Sequence, residues 1–93
     1  MKKIKIEYDE AKRLKILKER GLDLRESTEV LAGVYAEIED ARKDYGEARY
    51  RVWGFLRGRR VMLVWTPRGN AHRIITMRYA HEQEHEAIFR TLD

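Results

Sequence analysis

The sequence predicts an α+β domain in which two N-terminal helices pack on one face of an antiparallel sheet and a third helix closes the chain. Three observations predict it. Apolar residues keep helical spacing up to about residue 33, alternate with a period of two over 34–79, and return to helical spacing from residue 80. Turn residues mark the boundaries inside the alternating stretch. The chain has 93 residues, enough for one domain, 1–93, and too few for two.

Each element has its own signal. Ile4-Lys5-Ile6-Glu7-Tyr8 alternates apolar and polar, as a half-buried strand does. Asp9 is placed to cap a helix over 10–20 whose stripe is Ala11, Leu14 and Leu17, and Gly21 stops it. Asp23-Leu24-Arg25-Glu26 starts a shorter helix ending near Gly33, with Leu24, Ser27, Thr28 and Leu31 inward. Strands are expected over 34–39, 48–56, 60–66 and 72–79. A polar loop through Tyr45-Gly46 and turns at Arg57-Gly58-Arg59 and Pro67-Arg68-Gly69-Asn70 separate them. Residues 80–92 form the last helix, with Ala80, Ala87, Ile88 and Leu92 facing inward. Strands in one run with helices at its ends give α+β rather than α/β.

Composition narrows the function classes. Hydrophobic residues are 43% and charged residues 39% of the chain, which describes a folded, charged domain and excludes a disordered tail. There is no cysteine, so disulfides and thiolate metal sites are excluded. No apolar run approaches the ~18–20 residues of a membrane span, and the first residues lack a signal-peptide core. The expectation is a soluble, cytoplasmic chain.

The net charge of +4 conceals an uneven distribution. Residues 1–40 carry −1, residues 41–80 carry +8, and residues 81–93 carry −3. Nine of the ten basic residues in the middle segment are Arg, suited to bidentate contact with phosphate. The segment is either a well-solvated sheet surface or a phosphate-binding face.

Several strings together resemble one family. They are Glu39-Asp40-x-Arg42-x-x-Tyr45-Gly46-Glu47-x-Arg49, Trp65-Thr66-x-Arg68-Gly69, and Arg73-Ile74-Ile75-Thr76-x-Arg78-x-Ala80-x-x-x-Glu84. With Tyr8-Asp9-Glu10-Ala11 and Lys18-x-Arg20-Gly21 before them, they resemble the BrnT toxins of type II toxin–antitoxin modules over about residues 4–89. The resemblance implies a RelE-like ribonuclease fold and an endoribonuclease that slows growth by cleaving RNA. It also implies an antitoxin similar to BrnA, a ribbon-helix-helix DNA-binding protein, joined with the toxin in a heterotetramer. This chain departs from the family at Arg20, where His is usual, at His81, where a Ser or Thr cap is usual, and in its acidic last helix.

Cleavage of RNA without metal or other cofactor needs a base for the 2′-OH, cations for the phosphate, and a proton for the leaving oxygen. Glu47 is the candidate base, one of two acids in the basic stretch, although simple pairing with Arg49 or Arg51 is the competing reading. Strand alternation puts Arg49, Arg51, Trp53 and Phe55 on one face and Tyr50, Val52 and Leu56 on the other. Arg49 is then a catalytic cation and Arg51 an RNA contact. Trp53 is either a stacking surface for a base or a core or partner anchor.

On the last strand Arg73 and Arg78 fall on opposite faces unless a bulge intervenes. Arg78 lies at the strand end, where the RelE-like resemblance implies a catalytic group. Arg73 is an RNA contact or a partner of Glu39 or Asp40. Lys18 and Arg20 reach the same rim as RNA contacts, or serve the C-terminal end of their helix. His72 is available for proton transfer but adjoins a turn.

His81-Glu82-Gln83-Glu84-His85 matches zinc-peptidase spacings, yet no third ligand follows and no cleft has room to form; no metal site is assigned. A second function class stays open. The same fold could grip RNA or a protein partner without catalysis, a reading motivated by Arg20 and the acidic last helix.

Overall fold

The computed structural model describes residues 3–91. Strand β1 (Ile6–Glu7) leads into α1 (Glu10–Arg20), then a 3-10 turn (Leu24–Glu26) and α2 (Ser27–Ala32). Strands β2 (Ala36–Glu39), β3 (Tyr50–Leu56), β4 (Arg59–Arg68) and β5 (Ala71–Tyr79) follow, and α3 (Glu82–Thr91) ends the described chain.

The helix ends carry the expected caps. The Asp9 carboxylate accepts from the Lys12 amide at 3.0 Å, and Gly21, at φ 71°, donates its amide to Leu17 O. Asp23 caps the 3-10 turn and also binds the guanidinium groups of Arg13 and Arg25. This cluster orients α1. Ile16 is the buried apolar residue of the helix, whereas Ala11 is exposed and Leu14 and Leu17 are 53% and 38% exposed. The expected stripe is therefore corrected. With so few apolar residues, the facing side is set by polar anchors: Arg13 to Asp23, and Arg20 to Met77 O at 2.9 Å.

The five strands form one sheet in the order β1-β5-β4-β3-β2. Strands β2 to β5 are an antiparallel meander, but β1 runs parallel to β5, pairing Ile6 with His72 and Glu7 with Arg73. The sheet is thus mixed rather than wholly antiparallel, because the N-terminal strand joins at the far edge of the last one. The β3–β4 turn places Arg57 at φ 48° and Gly58 at φ 77°, the left-handed pair that a two-residue hairpin favours. Glu29 of α2 accepts from the Arg57 amide and Glu26 of the 3-10 turn pairs with its guanidinium, so these two elements together hold the hairpin turn. Strand β4 continues through Pro67 and Arg68, which shortens the second turn to Gly69-Asn70.

Helices α1 and α2 cover one face, where Ile16, Leu22, Leu24, Val30 and Leu31 meet Val52, Leu56, Leu63, Ile74 and Met77. Gly54 permits close approach there: a Cβ at this position would lie 2.8 Å from Val30 Cγ1. Helix α3 packs on the other face, where Ile88 and Phe89 cover Trp53, Met62 and Val64. The inward expectation for Leu92 lies outside the described residues. His85 is buried, with Nε2 2.9 Å from Gly54 O and its ring against Phe55 and Phe89.

Candidate active site

The meander register sets which side chains share the α3 face. Val52, Leu63 and Ile74 belong to the α1/α2 core, so Arg51, Thr66 and Arg73 beside them point the other way. Strand β5 carries one extra residue: Val64 pairs with Thr76 but Trp65 with Ile74. This bulge puts Ile74 and Met77 in the same core, three residues apart, and so brings Arg73 and Arg78 onto one face. Sequence alternation alone had separated them.

Only part of that face is open. Trp53 is 3% exposed beneath α3, so the structure corrects its placement as a surface for base stacking. Arg51 lies over its ring, 5.3 Å from the centroid. Arg78 is bound by Glu84 of α3 through contacts of 3.0 and 2.7 Å. This pair holds the Glu84 carboxyl down at about 2, mainly through its hydrogen bonds with Arg78, and raises the guanidinium in turn.

Beyond α3 the loop from β2 to β3 builds a second arrangement. Asp40 donates its amide to Arg49 O at 2.7 Å, and its carboxylate accepts from Arg42 Nε at 2.8 Å and Tyr45 Oη at 3.3 Å. The hydrogen bonds from Arg42 keep the Asp40 carboxyl far below the usual range. Tyr45, so held, lies under Arg49, whose guanidinium carbon is 4.1 Å from the ring centroid. Thr66 donates its hydroxyl to Ala48 O at 2.7 Å, fixing the approach to β3. Glu47 is thereby set between two cations, 3.7 Å from Arg49 and 3.8 Å from Arg68. Buried Nε atoms of Arg49 and Arg51 have no hydrogen-bond partner among the described residues.

The expected site residues thus separate into groups. Glu47 and Arg49 come together, with Arg51 one strand step further along the same side. Arg73 lies near them but is paired with Glu7 at 3.6 Å. Arg78, opposite Met62, is four residues along β4 from Thr66, roughly 13 Å at the usual strand rise. Lys18 is exposed at the end of α1, and Arg20 is engaged with Thr76 Oγ1 and Met77 O. His72 lies on the α1/α2 side against Trp65, ring centroids 4.1 Å apart. Sequence reasoning missed Arg68, Tyr45 and Thr66 as site residues. All three stand in the strings that carried the resemblance, but their roles depend on how the loop folds back.

The family model for BrnT, described as the ribonuclease toxin of type II toxin–antitoxin systems, matches residues 8–84. The chain belongs to the BrnT family. No curated protein matches it. The BrnT match extends from the residue before the Asp9 cap to Glu84, so it takes in the whole Glu47 cluster and both partners of the Arg78–Glu84 pair. As a type II toxin family, BrnT implies an antitoxin partner. No helix among the described residues is long and apolar enough to cross a membrane.

Proposed function

We propose that this chain is an endoribonuclease whose reaction runs on Glu47 and its surrounding arginines without a metal ion. The observation that carries the reading is Glu47 between Arg49 and Arg68 on the open part of the α3 face. Its carboxylate would take the proton from a ribose 2′-OH. The 2′ oxygen then attacks phosphorus and the P–O5′ bond breaks, leaving a 2′,3′-cyclic phosphate and a 5′-hydroxyl. Arg49 and Arg51, with unused buried donors, would bind the oxygens that gain charge in the transition state. Arg68 and Arg73 would hold the flanking backbone.

The full reading is a toxin with a RelE-like fold, acting in the cytoplasm and neutralised by a BrnA-like antitoxin. End-group analysis of the products tests the chemistry. Fragments should carry 2′,3′-cyclic phosphate and 5′-hydroxyl ends, and a 2′-deoxy substitution at the cut position should block cleavage. Fragments ending in 5′-phosphate would refute it.

A second reading, a module that binds RNA or protein without catalysis, draws on the Arg78–Glu84 pair and the burial of Trp53. Tight, salt-sensitive RNA binding with the RNA left intact would favour it.

A further inference from the structure

The two edges of the sheet differ in how they are guarded. Beyond its short pairing with β1, strand β5 is met by α1, whose Arg20 donates to Thr76 Oγ1 and Met77 O. At the other edge β2 pairs with β3 on one side only. Among the described residues no backbone group bonds to its outer side. Alternate residues of β2 therefore turn an unpaired N–H and C=O outward, the arrangement that accepts a further strand.

The side chains along this edge narrow what it would accept. Val52, opposite Glu37, belongs to the α1/α2 core, so Glu37 and Glu39 stand on that side of the sheet and Ile38 on the other. Glu37 accepts from Trp65 Nε1 at 2.9 Å. Neither Glu37 nor Glu39 has an ion pair among the described residues. Just ahead of β2, Val34 is 74% exposed and Tyr35 38%. Both border Gly54, where a Cβ would lie 3.2 Å from Tyr35 Cβ and 3.6 Å from Val34 O. Phe55, the next residue of β3, is 40% exposed. The free edge thus joins an apolar patch to two carboxylates that no cation neutralises.

Charge selects among the possible occupants. A second copy of this chain, pairing β2 with β2 and its faces matched, would set Glu37 and Glu39 opposite acids of its mate, and like charges directly opposite destabilise a strand pair. The same carboxylates repel RNA. We propose that the outer edge of β2 takes up an extended segment of a protein partner as a sixth strand, with Lys or Arg at alternate positions facing Glu37 and Glu39 and apolar residues between them. Main-chain hydrogen bonds would give the affinity and the alternating side chains the specificity. A type II toxin family supplies such a partner in its antitoxin. The inference rests on the toxin–antitoxin reading for that identity alone, and adds to it a place on the fold.

The test follows the backbone amides of the isotope-labelled protein by NMR as the peptide Lys-Val-Lys-Val-Lys-Val is added. Shift changes should centre on residues 34–39 and Phe55, and the outward amides of β2 should exchange more slowly with deuterated water once the peptide is bound. Lys-Val-Lys-Pro-Lys-Val keeps the charge but loses a pairing amide, and should bind several-fold more weakly. Glu39→Lys, a change at an exposed position, should weaken binding of the first peptide by roughly three- to tenfold and favour Glu-Val-Glu-Val-Glu-Val instead. No binding, shift changes centred elsewhere, or equal binding of the proline peptide would overturn the proposal. So would concentration-dependent protection of β2 without any peptide, which would give the edge to a second copy. A protein that binds the peptide along β2 yet does not slow growth when induced would keep the strand site and overturn the toxin reading.

Discussion

Glu84, in the first turn of α3, binds Arg78 of β5 through two hydrogen bonds of 2.7 and 3.0 Å. The pair ties α3 to β5, and it occupies the arginine that the family resemblance had placed in catalysis. Glu84→Gln should weaken the docking of α3, reduce stability by roughly 1 kcal/mol, and leave RNA cleavage within about threefold of wild type. Urea unfolding and initial cleavage rates check the two halves separately. A loss of cleavage as large as that from Glu47→Gln would return Arg78 to the catalytic group.

Acid should destabilise the fold through three carboxylates: Asp23, Glu84 and Asp40, the last held far below the usual range by Arg42. Asp23 falls from 3.8 to about 2, chiefly through hydrogen bonds with Arg25, and Glu84 falls from 4.5 to about 2 through Arg78. A carboxyl lowered in the folded state binds fewer protons there than in the unfolded state. Its stabilisation is complete above the unfolded value and is lost as pH drops through the folded one. Melting temperature should therefore be insensitive to these groups above about pH 5 and fall steadily between about pH 4.5 and 2. In Asp23→Asn the slope over that window should be shallower, with the midpoint at pH 7 already reduced.

The core of α1 is a single side chain. Ile16→Ala should cost about 2–4 kcal/mol by opening a cavity under the helix, whereas Leu14→Lys, on the exposed side, should stay within about 0.5 kcal/mol. Denaturant midpoints measured side by side decide it. The reverse order would restore the stripe of Ala11, Leu14 and Leu17.

Gly54→Ala probes the approach of α2 to β3. The added methyl would meet Val30 Cγ1 at 2.8 Å and Tyr35 Cβ at 3.2 Å, and neither stiff neighbour can move far. A loss of about 1–3 kcal/mol is expected from thermal or urea unfolding.

RNA affinity should depend on salt through few contacts. If Arg49, Arg51, Arg68 and Arg73 meet phosphates, log K should fall with log salt at a slope of roughly −2 to −3 for single-stranded RNA. Arg51→Ala should flatten that slope by about 0.7. Titrations of an uncleavable 2′-deoxy analogue at several salt concentrations measure it.

The order of helices and strands was legible because hydrophobic period is a local property, and the capping roles of Asp9 and Gly21 are local too. What was not legible depends on distant contacts. β1 is two residues long and joins a strand some 65 positions later, a pairing that periodicity does not encode. The β5 bulge changes the side on which Arg78 emerges, and its position follows from the pairing with β4 rather than from any glycine or proline. Alternation correctly placed Trp53 on the same side as Arg51, but whether a helix covers that side is settled by the docking of α3. At the site, the isolation of Glu47 among arginines could be read from the charge pattern. Its second cation, Arg68, comes from the next hairpin.

The most direct measurement is the initial rate of RNA cleavage by wild type and Glu47→Gln, each with and without EDTA. Wild-type cleavage should be unchanged by EDTA, and Glu47→Gln should lose about 10²–10⁴-fold while remaining folded. Wild-type cleavage abolished by EDTA, or Glu47→Gln cleaving at the wild-type rate, would contradict a metal-independent reaction based on Glu47.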